Sequence, residues 1–217
     1  MTDTIPVFPL DYVLLPGSPL PVHVFEPRYR QMLADIEGAR NAFGVVALRR
    51  GAETSADVDF ADIGTLAEIL EKAPYPDGSC DLFTVGSRRF RVVTVDASSK
   101  PYLQAGVEWL DEDDGLLSPD LAPAVVTLYA RYCRLLARLG VAGDDDELAT
   151  DPVRLSYEVT ARMHLSLAQR QRLLAMPTAA DRLAAALAVL RREIALVSQT
   201  HTAPVATQVL RLRPGPS

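Results

Sequence analysis

The sequence predicts an α+β protein, in which a β-rich region with one early helix (residues 1–115) precedes a helical region (residues 116–201). Two observations support this prediction. The first half consists of short apolar runs separated by proline, glycine and polar residues, a pattern typical of strands. From residue 118 onward, apolar residues instead recur at the three- and four-residue spacing of helices. Strands followed by a run of helices are typical of the α+β class. Residues 202–217 are expected to form a mobile tail.

Prolines divide the opening segment, residues 5–33, into short extended pieces. Proline cannot donate to a central sheet ladder and does not fit inside a helix. We therefore expect strands in the runs IPVF, DYVLL and LPVHVF, with a turn at Pro16 and Gly17 between the last two. His23 alternates with Val22 and Val24, so its side chain should point away from theirs.

A helix is predicted directly after these strands. Pro27 suits the first helical position, where its missing N–H is not needed, and Glu26 favours the positive end of the helix. An apolar stripe follows at helical spacing, and Gly38 is the expected stop. The stripe consists of Tyr29, Met32, Leu33 and Ile36.

Further strands complete the β-rich region. Gly64 disfavours a helix in its segment, and the acidic run Asp111 to Asp114 marks the boundary with the helical region. Residues 49–59 are predicted to be a polar excursion between strands. The predicted strands cover residues 42–48, residues 62–72, residues 80–95 as two strands bent at Gly86, and residues 102–110.

Four helices are predicted in the second region, with residues 143–147 as a solvated loop. Asp151 and Thr178 are expected N-caps, and Ser166 with Gln169 matches a capping box. The predicted helices cover residues 120–139, residues 152–163, a short run after Ser166 that stops near Met176, and a long Ala/Leu-rich run after Thr178.

Composition narrows the functional classes. Cys80 and Cys133 are far apart and form no CxxC motif, which favours a reduced, cytoplasmic protein over a disulfide framework. The sequence shows no signal-peptide pattern and no apolar run long enough to cross a membrane. A formal net charge of −6 opposes a nucleic-acid role, because binding a phosphate backbone requires clustered Lys and Arg.

Residues with catalytic or metal-binding chemistry do not form a recognisable site. The neighbours Ser99 and Lys100 lie in a loop, where Lys100 is expected to be solvated and not a base. His23, His164 and His201 lack metal-ligand spacing; His23 is interpreted as a structural or surface residue and His164 as a helix cap. The acidic runs 111–114 and 144–147 are interpreted as solvated loops.

Two arginine clusters are the other polar candidates. Arg49 and Arg50 form one, and Arg88, Arg89 and Arg91 form the other. Either could contact carboxylates, but structural ion pairs are favoured, with Asp81, Glu68 or Glu71 as the expected partners.

The opening segment resembles the N-terminal, substrate-binding domain of the ATP-dependent Lon proteases, which also occurs as free-standing proteins and in cereblon. The family pattern begins with an apolar-Pro-apolar-Phe-Pro-Leu run and continues through a Pro-Gly turn to Leu-Pro-x-x-x-Phe-Glu-Pro-Arg-Tyr. Residues 5–10, 15–17 and 20–29 match it in this order. Further matches along the β-rich region are Asp77-Gly78, Gly86, Arg89, Phe90, Pro101-Tyr102, Ala105 and Val107.

The resemblance covers the chain except its tail, and it implies a PUA-like pseudo-barrel followed by a helical bundle. It also implies a non-catalytic, cofactor-free module that binds unfolded or tagged polypeptide, with a separate protease as a possible partner. The sequence contains no GxxxxGK[ST] phosphate loop. An extended client could add to an exposed sheet edge, although the sequence does not identify the contact residues. The alternatives are a small cytosolic enzyme with a cleft between the two regions and a PUA-like RNA-binding protein.

Overall fold

The structure is a computed structural model that describes residues 3–38, 40–50, 59–141 and 147–200, except for the side chains of residues 50 and 200. The described residues divide into two compact units between Asp111 and Glu112, here called the sheet unit and the helical unit. The α+β class predicted from the sequence is confirmed. The predicted tail, His201 and most of the predicted stretches 49–59 and 143–147 lie outside the described residues.

Seven strands and one helix build the sheet unit, and four helices build the helical unit, within the described residues. The sheet-unit elements are β1 (Asp3–Leu10), β2 (Pro19–Val24), α1 (Pro27–Ile36), β3 (Ala42–Arg50), β4 (Asp59–Phe60), β5 (Ile63–Pro74), β6 (Cys80–Asp96) and β7 (Gln104–Trp109). The helical-unit elements are α2 (Leu121–Arg138), α3 (Pro152–Arg162), α4 (Leu167–Leu174) and α5 (Ala179–Thr200).

Five of the strands close into a ring in the order β1, β7, β6, β5, β3. The ring closes because β1 pairs antiparallel with β7 on one side and parallel with β3 on the other. β2 pairs with the first part of β6, and the short β4 pairs with β3. This ring confirms the predicted pseudo-barrel.

Phe90 fills the interior of the ring and is completely buried. Two glycines on neighbouring strands make room for its ring: a Cβ on Gly44 would lie 2.7 Å from Phe90 Cζ, and one on Gly64 would lie 2.6 Å from the same atom. Burying a phenylalanine side chain completely contributes about 1.5–3 kcal/mol to stability. Gly64 lies in a strand, as expected. A glycine is needed at this position because any side chain would overlap the Phe90 ring.

A second core lies between the sheet and α1. The apolar stripe predicted for this helix is confirmed, since all four of its side chains are buried. Leu20, Val22 and Leu82 pack in the same cluster. The helix ends as expected: Glu37 N–H donates to Leu33 O, and Gly38 takes a positive φ of 80°.

Residues 11–15, predicted to be a strand, form no strand, and this prediction was wrong. Their backbone is held by side-chain and turn contacts instead of a ladder. The Thr65 hydroxyl donates to Leu14 O at 2.7 Å, with both residues buried. Gly17 N–H donates to Gly86 O at 2.8 Å, and Gly86 N–H donates to Ser18 O at 2.9 Å.

The prediction of two separate strands in residues 80–95 was also wrong, because β6 is one continuous strand, whose register with β5 shifts between Gly86 and Arg89. Its residues 80–85 pair with β2 and its residues 90–96 pair with β7, while β5 follows it on the other side. Gly86 lies where the partner changes. A Cβ there would overlap the Leu15 carbonyl oxygen, so the glycine permits a close backbone approach.

The helical unit confirms the predicted caps at the N-terminal ends of its helices. The Asp151 carboxylate accepts from Arg154 N–H at 2.8 Å, and the Thr178 hydroxyl oxygen accepts from Asp181 N–H at 3.1 Å. Both hydrogen bonds of the Ser166 capping box are present. Leu155, Leu183 and Leu190, with other apolar side chains of α2 to α5, form one buried cluster.

A buried arginine joins the start of the helical unit to its helices. The Arg182 side chain is fully buried and donates to Glu112 Oε2 at 2.8 Å, to the Ser156 hydroxyl at 2.9 Å and to Met176 O at 3.1 Å. The guanidinium also lies 4.3 Å from the centre of the Tyr157 ring, whose hydroxyl donates to Glu112. The network satisfies a charge that would be costly to bury alone.

Candidate functional site

His23 is the best-connected of the candidate polar residues. Val22 and Val24 are buried on one side of β2, and His23 points to the other, as expected. His23 Nδ1 lies 2.6 Å from Asp81 Oδ1, and the Tyr75 hydroxyl donates to Asp81 Oδ2 at 2.6 Å. The hydrogen bond from Tyr75, followed by that of His23, lowers the pKa of the Asp81 carboxyl.

These contacts organise an aromatic cluster on the surface. Phe25 stacks on His23 with ring centres 5.9 Å apart, and Tyr75 meets His23 edge-on at 6.1 Å. The Phe25 side chain remains 61% exposed and Tyr75 46% exposed. Asp81 therefore holds exposed rings in a fixed arrangement instead of shielding them.

The aromatic cluster belongs to a larger exposed face. We define the lobe as the part of the sheet formed by residues 19–24, 68–74 and 80–85. One of its faces packs against α1. On the other, the outer face, Phe83 lies opposite Pro21 and is 43% exposed. Leu70, beside a β-bulge at the edge of the lobe, is 57% exposed. Exposed apolar side chains gathered in one place mark an interaction surface.

Carboxylates accompany the apolar side chains of the outer face. Glu71 lies opposite Phe83 in the β5–β6 register, and Glu68 lies opposite Val85. Both glutamates are exposed, and no ion pair is formed with either by the residues that the structure describes. Lys72 forms its ion pair with Glu37, at the end of α1, at 3.3 Å.

The free edge of β2 is poorly suited to adding another strand. In an antiparallel pair, residues that bond the partner strand alternate with residues whose N–H and C=O point away. Pro19 and Pro21 cannot donate to β6, so they and His23 take the outward-pointing positions. Only His23 then offers an outward N–H from this strand.

The edge of β5 has a similar shortage of donors. The β3–β5 ladder ends at Asn41, which accepts from Ile69 N–H and donates from its side chain to Ile69 O, both at 3.0 Å. Past this point, β5 pairs with β6 alone among the described strands. By the same alternation, Lys72 and Pro74 point outward, and only Lys72 has an N–H. The outer face, not its edges, is thus the stronger candidate site.

Among the clustered arginines, Arg49, Arg88 and Arg89 do not form a patch. Arg49 pairs with Asp62 at 3.3 Å, Arg88 pairs with Asp111 at 2.7 Å, and Arg89 is buried. Ion pairing was expected, but the predicted partners of the Arg88 cluster were wrong for Arg88. Asp81 is already bonded to His23 and Tyr75, and Asp111 lies close enough to reach Arg88.

The remaining candidates are structural where the structure describes them. Lys100 pairs with Asp35 at 3.0 Å and Ser99 bonds Gln104, so these neighbours do not act together. His164 Nδ1 lies 3.2 Å from the Tyr132 hydroxyl, and the end of α3 is closed by backbone instead of the predicted histidine cap. Burial raises the pKa of Tyr132 to about 12.

The described residues provide neither a metal-binding group nor a membrane-spanning helix. No group of three or more His, Cys, Asp or Glu side chains among them is placed to hold a metal ion. The helices found in those same ranges are too short or too polar to cross a membrane.

An apolar groove on the helical unit is a second candidate surface. It has a volume of about 890 Å³ and runs along α2 to residues 147–150 and Leu155. Val126, Cys133 and Arg134 lie in its wall. Neither this groove nor the outer face could be predicted from the sequence. The alternation of apolar and polar residues does not show which apolar side chains remain exposed in the fold.

The chain is similar in sequence to a known protein family. The family described as the ATP-dependent protease La (LON) substrate-binding domain matches residues 4–192. Lon protease 2 of Syntrophobacter fumaroxidans is 26% identical over 182 residues, which make up 82% of this chain and 23% of that protein. The Lon protease of Escherichia coli is 26% identical over 203 residues, 89% of this chain and 25% of that protein. The chain thus spans about a quarter of the length of these relatives.

Solved structures agree with the sequence matches. A Lon N-terminal domain protein from Xanthomonas campestris superposes with a TM-score of 0.66 at 28% identity, covering 86% of this chain and 98% of that one. The N-terminal domain of the Mycobacterium avium complex Lon protease shares the fold, with a TM-score of 0.58 at 18% identity over 87% and 98% of the two chains. The chain therefore belongs to the Lon substrate-binding domain family.

Proposed function

We propose that this protein is a recognition module that binds unfolded or tagged polypeptide on the outer face of the lobe. The observation that carries the proposal is the set of exposed aromatic side chains around Phe83, Phe25 and Tyr75. Rigid, exposed aromatic rings are the residue type that most often dominates binding energy at protein surfaces. The substrate-binding description of the family supports polypeptide as the ligand.

The module is proposed to act without catalysis, in the cytoplasm, and to pass its clients to a separate protease. Support comes from the match to a substrate-binding domain and from the free thiols of Cys80 and Cys133. Docking on a face is favoured over strand addition, because the prolines leave each lobe edge with a single outward donor.

A binding titration tests the proposal. A labelled, permanently unfolded polypeptide is titrated with the protein and its fluorescence anisotropy is followed. The double variant Phe25→Ser, Phe83→Ser is expected to bind at least about thirtyfold more weakly, since truncating even one aromatic anchor costs about 2 kcal/mol. Leu196→Ser removes an apolar side chain of α5 that is as exposed to solvent as that of Phe83. This control variant should bind the polypeptide like the wild type.

Two outcomes would contradict the proposal. If Val126→Ser weakens binding and the double phenylalanine variant does not, the groove along α2 is the site. If mass spectrometry shows that the bound polypeptide is cleaved during the titration, the module is an enzyme. An RNA of similar size, titrated in parallel, should not bind.

A further inference from the structure

The outer face of the lobe combines apolar side chains with carboxylates in a regular arrangement. In the register of the three strands, Glu71 lies beside Phe83, Glu68 beside Val85, and Asp81 beside His23. Directly opposed residues of paired strands have Cβ atoms about 5 Å apart. Phe83, Val85 and His23 therefore each have an acidic side chain as an immediate neighbour on the face.

Three cations near this face are paired with other residues, whereas Arg30 lies beside Gly78 in the turn between β5 and β6. Arg40 bonds Asp3 at 3.0 Å and lies over the Trp109 ring at 5.9 Å. Arg88 bonds Asp111 at 2.7 Å, and Lys72 bonds Glu37 at 3.3 Å. His23 is the basic side chain on the face itself, and it lies against Asp81.

The two glutamates differ from these paired groups. The described part of the chain provides no salt bridge to Glu68 or Glu71, which leaves both carboxylates in solvent beside exposed apolar surface. Asp81 also keeps its negative charge, because hydrogen bonds from Tyr75 and His23 lower the pKa of its carboxyl. The outer face thus combines exposed apolar side chains with carboxylates that give it a negative electrostatic potential.

We infer that the outer face selects extended polypeptide segments that present apolar side chains and lysine or arginine on the same side, and that it disfavours acidic segments. This inference rests on the proposed function and specifies its substrate class. In an extended segment, side chains two positions apart lie on the same side about 7 Å from each other, which matches the repeat along each strand of the lobe. Apolar side chains can then contact Phe83 and Phe25 while cations two positions away on the same side reach Glu71 or Glu68.

Basic side chains suit such a surface for two further reasons. Lysine and arginine lay their aliphatic stems on apolar surface while their charged heads stay in water. Their charges are also attracted to the faces of aromatic rings such as Phe25 and Tyr75. A glutamate in the same position would instead meet Glu71 at close range, where like charges repel.

Three labelled peptides test the inference. They share the same apolar residues at every fourth position and carry lysine, serine or glutamate two positions after each of them, on the same side of the extended chain. The lysine peptide is expected to bind about tenfold more tightly than the glutamate peptide, and half-molar salt should remove most of this difference, because surface charges are then screened. The serine peptide should lie between them and respond little to salt.

Matched variants locate the effect. The double variant Glu68→Gln, Glu71→Gln should weaken binding of the lysine peptide about fivefold and leave the serine peptide unchanged. The control Asp11→Asn, Glu108→Gln removes the same charge from exposed positions outside the lobe, and it should bind all three peptides like the wild type.

The possible failures are distinguishable. Equal affinity for the lysine and glutamate peptides overturns the charge selectivity and leaves the proposed function intact. If none of the three peptides binds, the proposed function fails and the selectivity with it. If sedimentation shows a wild-type dimer that Phe83→Ser dissociates, the face holds a second copy of this chain and both proposals fall.

Discussion

Asp35 shows how one side chain connects distant parts of the sheet unit. It lies in the last turn of α1 and accepts hydrogen bonds from the Tyr102 hydroxyl at 2.7 Å, from Lys100 at 3.0 Å and from Gln31 at 2.7 Å. Tyr102 and Lys100 belong to the segment before β7. These three donors, Tyr102 foremost, lower the pKa of the Asp35 carboxyl from 3.8 to about 2.

The lowered pKa predicts how stability depends on pH. A carboxylate with a lower pKa in the folded than in the unfolded protein stabilises the fold above its unfolded pKa, and this contribution is lost as the pH falls through its folded pKa. The free energy of unfolding should therefore fall more steeply between about pH 4 and about pH 2 in the wild type than in Asp35→Asn. Urea titrations across this range measure both slopes. Asp11→Asn, an exposed control, should keep the wild-type slope; a wild-type slope in Asp35→Asn would contradict the assignment.

Single residues also show where sequence reasoning was sufficient. Val22 and Val24 alternate with His23, and this alternation alone identified the buried side of β2. It could not identify the outer face as exposed, because Leu82 and Phe83 are adjacent apolar residues of which only Leu82 is buried. The difference arises from packing: α1 covers the side of the sheet that Leu82 faces.

At the scale of elements, the helices were the most predictable part. Their caps and stripes depend on residues three or four positions apart, which a sequence displays directly. The two errors, at residues 11–15 and at Gly86, both involve partners distant in sequence. The Thr65 hydroxyl holds the backbone at Leu14, and the Leu15 carbonyl lies against Gly86. No local sequence pattern links either residue to its distant partner.

The caps of α2 and α3 provide a prediction at this scale. Asp151 accepts a hydrogen bond from the backbone of α3, whereas Asp120, at the same position of α2, makes no side-chain cap bond. Both carboxylates sit at a positive helix end, so the difference between Asp151→Ala and Asp120→Ala isolates the hydrogen bond. We expect Asp151→Ala to be the more destabilising by about 1 kcal/mol in urea unfolding. Equal losses would show that the cap bond contributes nothing.

Across the whole molecule, the Arg182 network fixes the start of the helical unit. Glu112 follows the last residue of the sheet unit in the chain, and its carboxylate is shared between Arg182 and the Tyr157 hydroxyl. Arg182 therefore connects the first residue of its unit with α3 and α5.

Replacing this arginine should destabilise the helical unit. Arg182→Met preserves much of the side-chain volume but removes the guanidinium that donates to Glu112 and Ser156, and we expect a loss of about 3 kcal/mol. Far-UV circular dichroism during urea unfolding follows the helices. Arg191→Met, at an exposed position of α5, should change stability by no more than about 0.5 kcal/mol. If the two variants unfold alike, the network does not stabilise the unit.

The prolines of β2 have a consequence for the protein at high concentration. Exposed apolar side chains can also bring copies of the same protein together. An unpaired strand edge would then allow these copies to stack into cross-β fibrils. Pro19 and Pro21 remove two of the three donors that such growth would need from this edge. The exposed apolar rings of the outer face can thus lie next to a strand edge that is a poor template for cross-β growth.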